Sequence, residues 1–247
     1  MKVFLYGTEC LGDFLNGLPI LSGLNKSFGK YDLCIRNGMR KFNGIKEFLE
    51  YQDLFSSVSF EDEVFLYGNI IKLSSWPIRE DKLDPNRPIE TCRYENWLND
   101  HYQIDFKVDD NFVIKVPELN IVIDDVYYCG DRWDIPGIDD RRKTKVLSHL
   151  KEMKFLDYKD SLLTNSYIIK NLKKPFITNL TGVAVLADLL NVATYIVWKA
   201  EDFKPEFRNG DNCSWDNGKD INKVFEKHFY LNRKSKLVHS KDLENLL

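Results

Sequence analysis

The chain has only four histidines and five cysteines in 247 residues, and neither set is patterned. His101, His149, His228 and His239 form no His-x-x-x-His pair, and solvated or structural roles are the expectation for them. Cys10, Cys34, Cys92, Cys129 and Cys213 form no Cys-x-x-Cys. With an odd number of thiols, a zinc site or a disulfide framework is not expected, and free thiols in a reducing compartment are. No apolar run reaches the ~18 residues of a membrane span. The opening "MKVFLYGTECLGD" carries one lysine and is soon interrupted by Glu9 and Asp13, so it reads as a first strand and not as a secretory leader. A cytoplasmic location is the expectation. The net charge of −3 gives no global pull toward nucleic acid, although a local basic face can still exist. Also missing are the phosphate-cradling G-x-x-x-x-G-K-[ST], the dinucleotide fingerprint G-x-G-x-x-G and the nucleophile elbow G-x-S-x-G.

What is present is an alternation of strand and helix signals. "KVFLYG" is an apolar run of strand length, and Leu11, Phe14 or Leu15, Leu18 and Leu21 follow at helical spacing, with Pro19 inside that helix as a kink or close-packing device. "YDLCIRNG" reads as a buried strand, "GIKEFLEY" as a helix, and "SSVSFEDEVFLYGN" as two more short apolar runs. "VFLYG" occurs at 3–7 and again at 64–68, as two similar parallel strands. Residues 72–90, with three prolines, read as an irregular excursion, and "IETCRYENWLNDHYQI" as an amphipathic helix. "FVIKVPEL" at 112–119 is expected to be the strand that closes the first half. The second half restarts with "NIVIDDVYYCG" as a strand and "DRRKTKVLSHLKEM" as a helix, followed by "KFLDY", "DSLLTNSYIIKNL", "PFITN", "TGVAVLADLLN" and "ATYIVW" as alternating strands and helices. It closes on the helix "INKVFEKHFYL". Strands alternating with helices imply βαβ units and a mainly parallel sheet. The expected architecture is α/β, two Rossmann-like α/β/α domains facing a cleft. The boundaries are 1–117 and 118–247, and the last helix can pack back on the first domain.

Two stretches carry chemistry. In "GTECLGDFLNGLP", Asp13 follows Gly12 at a strand-to-helix turn. In "NLTGVAVLADLLNVATYIVW", Thr181-Gly182 follows a strand and opens an almost wholly apolar helix. A helix N-terminus offers free N–H groups and partial positive charge to a phosphate, glycine allows close approach, and a threonine hydroxyl adds a donor. Arg132 in "YYCGDRWD" sits just past a strand's C-terminal end, where ligands bind in such sheets, while Arg141, Arg142 and Lys143 read as solvated helix charges.

Together these stretches resemble the ADP-heptose:lipopolysaccharide heptosyltransferases and their relatives, glycosyltransferases of the GT-B fold. That family opens with a strand, then a Gly-Asp and, after five intervening residues, a proline, as in "GDFLNGLP". Its second domain carries Asp-Thr-Gly-x-x-His-Leu-Ala-x-Ala-Leu-Gly-x-Pro, where this chain reads "LTGVAVLADLLNVA". Leu180 replaces the Asp, Val185 the His, and Asn191 and Ala193 the closing Gly and Pro. The resemblance implies that Asp13 is the catalytic base. It implies that the second domain takes a nucleotide-sugar donor as co-substrate, with Thr181 and Gly182 at the diphosphate; Arg132 is a candidate for the same diphosphate from its place at a strand end alone. Asp157 and Asp160 are candidates for the donor nucleoside, from position alone. Thr8, Gly12, Arg36, Arg40 and Lys41 fall on the acceptor side. The absence of any Asp-x-Asp removes the metal-holding carboxylates of another large class of sugar transferases, so neither a metal nor a cofactor is expected. The implied reaction is inverting, metal-independent transfer to an acceptor hydroxyl, on a saccharide or on a hydroxymethylated base of viral DNA. For the second acceptor, Arg36, Arg40, Lys41 and Lys46 around Phe42 would be a phosphate-contacting face. The changes at Leu180 and Val185 keep a rival in view: a catalytically silent protein of this fold that binds a nucleotide sugar or assembles with partners.

Overall fold

Most of the short apolar runs that are described become parallel strands. The structure is a computed structural model and describes residues 1–5, 10–63, 70–74, 84, 86–130, 153–157, 159–178, 181–198, 233–239 and 242–246. The first sheet is built from β1 (Lys2–Leu5), β2 (Tyr31–Ile35), β3 (Phe55–Phe60) and β4 (Ile70–Leu73), all parallel in the order β3-β2-β1-β4. Its helices are α1 (Leu11–Leu15), α2 (Leu18–Phe28), α3 (Ile45–Tyr51) and α4 (Ile89–Tyr102). The second sheet holds β5 (Tyr127–Gly130), β6 (Met153–Phe155), β7 (Phe176–Thr178), β8 (Thr194–Trp198) and β9 (Ser235–His239), parallel in the order β6-β5-β7-β8-β9. Its described helices are α5 (Leu162–Lys170) and α6 (Gly182–Leu189). Two α/β domains with parallel sheets face each other, as expected from the alternating pattern.

The helix expected to carry Pro19 is in fact two. α1 ends at Leu15, and Gly17 N–H bonds the Phe14 carbonyl to close it. α2 then starts afresh with Pro19 in its first turn, where the missing N–H has no intrahelical partner to lose. A five-residue helix cannot stand alone. α1 is held by burial of Leu11, Phe14 and Leu15, each contributing about 1.5–3 kcal/mol.

Three other expectations are corrected. β4 occupies residues 70–73, so Lys72 and Leu73 belong to the sheet and not to the excursion. Its outer edge is closed by side chains of α4: Trp97 Nε1 donates to the Lys72 carbonyl at 2.6 Å, and Lys72 N–H donates to the Tyr102 hydroxyl at 2.9 Å. Residues 112–119 form no strand, because their backbone bonds go elsewhere: Ile114 N–H to the Leu189 carbonyl at 3.1 Å, and Lys115 N–H to Gln52 Oε1 at 2.9 Å. In "NIVIDDVYYCG" only Tyr127–Gly130 is strand, and Val122 is 86% exposed. The second "VFLYG" and the helix "INKVFEKHFYL" lie outside the described residues. None of the described helices is long and apolar enough to cross a membrane.

The core does not stop at either domain. One buried cluster runs from Val3, Leu33 and Phe48 through Leu11 and Phe14 to Val185, Leu186 and Ile196. The two domains therefore share apolar packing where α1 meets α6.

Candidate active site

Each sheet has one place where successive connections leave in opposite directions, and ligands bind at the carboxyl ends of such strands. In the first sheet it lies beside β1, which is flanked by β2 and β4. In the second it lies beside β5, flanked by β6 and β7. α1 follows β1, and α6 follows β7. The two helices meet at their N-terminal ends, from opposite domains.

The meeting is glycine against glycine. A Cβ on Gly12 would stand 3.4 Å from the Gly182 Cα and 3.4 Å from a Val185 methyl. A Cβ on Gly182 would lie 2.7 Å from the Leu11 Cβ and 2.8 Å from the Gly12 backbone nitrogen, closer than any side chain tolerates. Asp13, next to Gly12 in the first turn of α1, is half-buried beside this contact. Two helix N-termini brought together add their positive ends, and a carboxylate in that turn is favoured by both.

Thr181 is the N-cap of α6, yet its side chain makes no capping bond. Only 8% of the residue is exposed, and its hydroxyl has no hydrogen-bond partner among the described residues. The Ala184 and Val185 amides turn back to the Thr181 carbonyl, at 3.0 and 3.3 Å. That leaves the Gly182 and Val183 amides for an acceptor from outside the helix. A buried hydroxyl without a partner is costly, and a diphosphate oxygen is the kind of acceptor that would satisfy it. At the other end of α6 two cations meet the carbonyls: Arg233 donates to Asp188 O at 2.9 Å and Lys170 to Leu190 O at 2.9 Å. Burial pulls the Lys170 ammonium below its ordinary pKa of 10.5, and nearby Lys234 adds to this. The dipole of α6 thus has its negative end compensated and its positive end open.

The domains touch a second time. Asn43 Nδ2 donates to the Lys159 carbonyl at 2.6 Å, and Leu162 N–H to the Asn43 carbonyl at 2.8 Å. Gly44, at φ 70°, has no room for a side chain against Ser161. Asp157 and Asp160 are exposed in the turn just before α5; the Asp157 carboxylate accepts from Lys159 N–H at 2.9 Å.

Two members of the first domain's basic group, Arg40 and Lys46, are paired with acids. Arg40 grips Asp62 with both terminal nitrogens, at 2.7 and 2.8 Å, reaches Glu63 at 3.1 Å, and lies 4.1 Å over the Phe60 ring. Lys46 pairs with Glu63 at 3.3 Å, and Lys41 sits 5.3 Å from the Phe42 ring centre. Arg36 is half-buried just past β2. The structure therefore brings together Gly12, Asp13, Thr181 and Gly182. Arg36, Arg40 and Lys41 stand apart at the neighbouring carboxyl edge. Thr8, Arg132, Arg141, Arg142 and Lys143 lie outside the described residues. The role of Gly182 in touching Gly12 was not readable from its spacing, since the two are far apart in sequence. Among the described residues no group of three His, Cys, Asp or Glu side chains is close enough to hold a metal ion, and the described cysteines are free thiols.

No family model matches the sequence, and no curated protein is similar to it. Solved structures are similar in fold. A glycosyl transferase family 9 protein from Veillonella parvula aligns with a TM-score of 0.57 at 12% identity, over 99% of this chain and 87% of the other. The E. coli heptosyltransferase WaaC with ADP aligns with a TM-score of 0.56 at 11% identity, over 100% of this chain and 98% of that one. The same enzyme with ADP-2-deoxy-2-fluoro heptose aligns at 0.51 and 11%, over 81% and 89%. At these identities the likeness establishes the two-domain GT-B fold.

Proposed function

We propose that this chain is an inverting glycosyltransferase that moves a sugar from a nucleotide-sugar donor to an acceptor hydroxyl. The observation that carries the reading is the end-to-end meeting of α1 and α6, with Asp13 on one side and the partnerless Thr181 hydroxyl on the other. The donor diphosphate sits at the start of α6, taken by the Gly182 and Val183 amides and by Thr181 Oγ1. Asp13 removes the proton from the acceptor hydroxyl as its oxygen bonds to the anomeric carbon. The bond from that carbon to the diphosphate breaks with its electron pair, and the nucleoside diphosphate leaves against the positive end of α6. The chain has no Asp-x-Asp, so the helix and not a carboxylate-held metal takes the leaving charge in this reading. Two of the similar structures are of a heptosyltransferase holding ADP or an ADP-sugar, which makes ADP the first nucleotide to try.

For the acceptor, the ion pairs of Arg40 and Lys46 favour a saccharide over DNA. A phosphate would have to compete with carboxylates already bidentate on Arg40. The test is a panel of ADP-, UDP-, GDP- and CDP-linked sugars, read by melting temperature and by release of nucleoside diphosphate. One nucleotide class should stabilise the protein, and its sugar nucleotide should be slowly hydrolysed to sugar and nucleoside diphosphate. A flat panel in both readouts would contradict transfer and donor binding alike.

A further inference from the structure

Arg233 lies just before β9, far in sequence from the candidate active site, and its side chain is only 6% exposed. Nothing in the reaction above uses it. Its guanidinium is shared among three backbone carbonyls. Nη1 donates to Asp188 O at 2.9 Å, and Nη2 to Phe112 O at 2.8 Å and to Asp110 O at 3.4 Å. The Asp188 carboxylate, in a residue 2% exposed, stands 3.8 Å from Nε and accepts from the Ser235 hydroxyl at 2.8 Å. Phe112 and Asp110 belong to the segment that leads from the first sheet to the second. That segment is fastened to the first domain at Pro19, whose carbonyl accepts from Asp109 N–H at 3.1 Å, and at Ser22, whose hydroxyl bonds the Asp109 carboxylate at 2.6 Å. It is fastened to α6 by Ile114 N–H on Leu189 O.

We infer that Arg233 is a positioning residue that fixes the far end of α6 against the first domain and so aligns Thr181-Gly182 with Asp13. A planar fork with several fixed donors can tie a helix end and a crossing strand of chain together; a single amine cannot hold three carbonyls in that geometry. α6 is one unbroken helix of eight residues, so it moves as a rod. Its C-terminal end is set by Arg233 and its N-terminal end meets Gly12. A shift at one end is passed to the other. This inference about alignment rests on the proposed reaction; the fastening of the domains does not.

The test is amide hydrogen exchange on the free protein, for wild type, Arg233→Lys and Arg233→Met. Two amides report on contact between the domains, Ile114 beside Arg233 and Leu162 at the separate Asn43 contact. Amides of β1 and β2 report on the first domain alone. In Arg233→Met, exchange at Ile114 should rise about tenfold or more, since the bonds lost are charged ones. Leu162 should rise with it, β1 and β2 should hold, and Arg233→Lys should fall between. A rise confined to Ile114 would make Arg233 a local structural residue and overturn the inference, as would no rise at all or an equal rise everywhere. Arg233→Met also leaves a buried carboxylate without its cation, which can itself unfold the chain. Asp188→Asn added to it removes that charge and keeps the Ser235 bond, and the double variant is read in the same way. With any sugar nucleotide that the wild type hydrolyses, Arg233→Met should lower turnover about tenfold or more while leaving nucleoside diphosphate affinity unchanged. Should the wild type hydrolyse none, the proposed reaction falls, and the exchange pattern alone decides the fastening.

Discussion

α1 follows the first strand of its sheet and α6 the third of its own, and the two meet end to end, but they are built for opposite charges. α1 has five residues, an acid in its first turn and no basic residue in its last. α6 has eight residues, no acid in its first turn, and Arg233 and Lys170 on the carbonyls at its far end. The first therefore presents a carboxylate and the second presents open amides. A proton acceptor and an anion cradle are the two things that displacement of a diphosphate by a hydroxyl requires. One helix cannot supply both, because a carboxylate in the first turn of α6 would repel the phosphate it is meant to hold.

The comparison breaks most sharply at Asp13. Asp13→Asn keeps the shape of α1 and removes the base, so turnover should fall by about 10²-fold or more with donor affinity retained. Single-turnover rates beside a binding titration separate the two effects, and near wild-type turnover would strip Asp13 of its role. Next is Gly182→Val. Its side chain would run into Leu11 and the Gly12 nitrogen, so it should cost about 1–3 kcal/mol of stability through overpacking as well as weaken donor binding. A melting curve and calorimetry report the two losses, and an unshifted melting temperature would mean that α1 and α6 do not touch in solution. Thr181→Val sharpens the comparison from the other side. The hydroxyl has no partner, so stability should hold or rise slightly, while nucleoside diphosphate affinity drops by about tenfold. Lost stability with unchanged affinity would turn Thr181 into an ordinary cap.

The smallest effect belongs to the exposed charges just past β2 and β3. The hydrogen bond from Arg40 holds Asp62 below its ordinary 3.8. The backbone N–H of Phe60, with help from Lys46 and Arg40, holds Glu63 below its ordinary 4.5. A carboxylate depressed in the folded chain adds stability above its unfolded pKa and loses it as pH falls through the folded one. Arg40→Ala should therefore melt slightly below wild type at neutral pH, and the gap should close in acid. A gap that persists below both values would point to the Phe60 stacking and not to charge.

Much of this was legible because each piece is local. Continuous apolar runs gave β1, β2, β7 and β8, and glycine after a strand marked both helix starts. Pro19 marked a boundary that periodicity alone smoothed into one helix, since Leu11, Leu15, Leu18 and Leu21 keep helical spacing across the break. "FVIKV" has every intrinsic mark of a strand, but its backbone is claimed one residue at a time by Leu189 and Gln52, and strand identity is decided by a neighbour. The Gly12–Gly182 contact and the bonds of Arg233 to Asp110 and Phe112 join residues more than a hundred positions apart, which no spacing can reveal.

The central claim is that a diphosphate sits on the open end of α6. The direct measurement is a titration of isotope-labelled protein with ADP, UDP and GDP, followed by the backbone amide resonances. With the nucleotide that binds, Gly182 and Val183 should move furthest, Gly12 should follow, and the amides of α3 should stay in place. Binding that leaves Gly182 and Val183 still, or no binding of any nucleoside diphosphate, would contradict it.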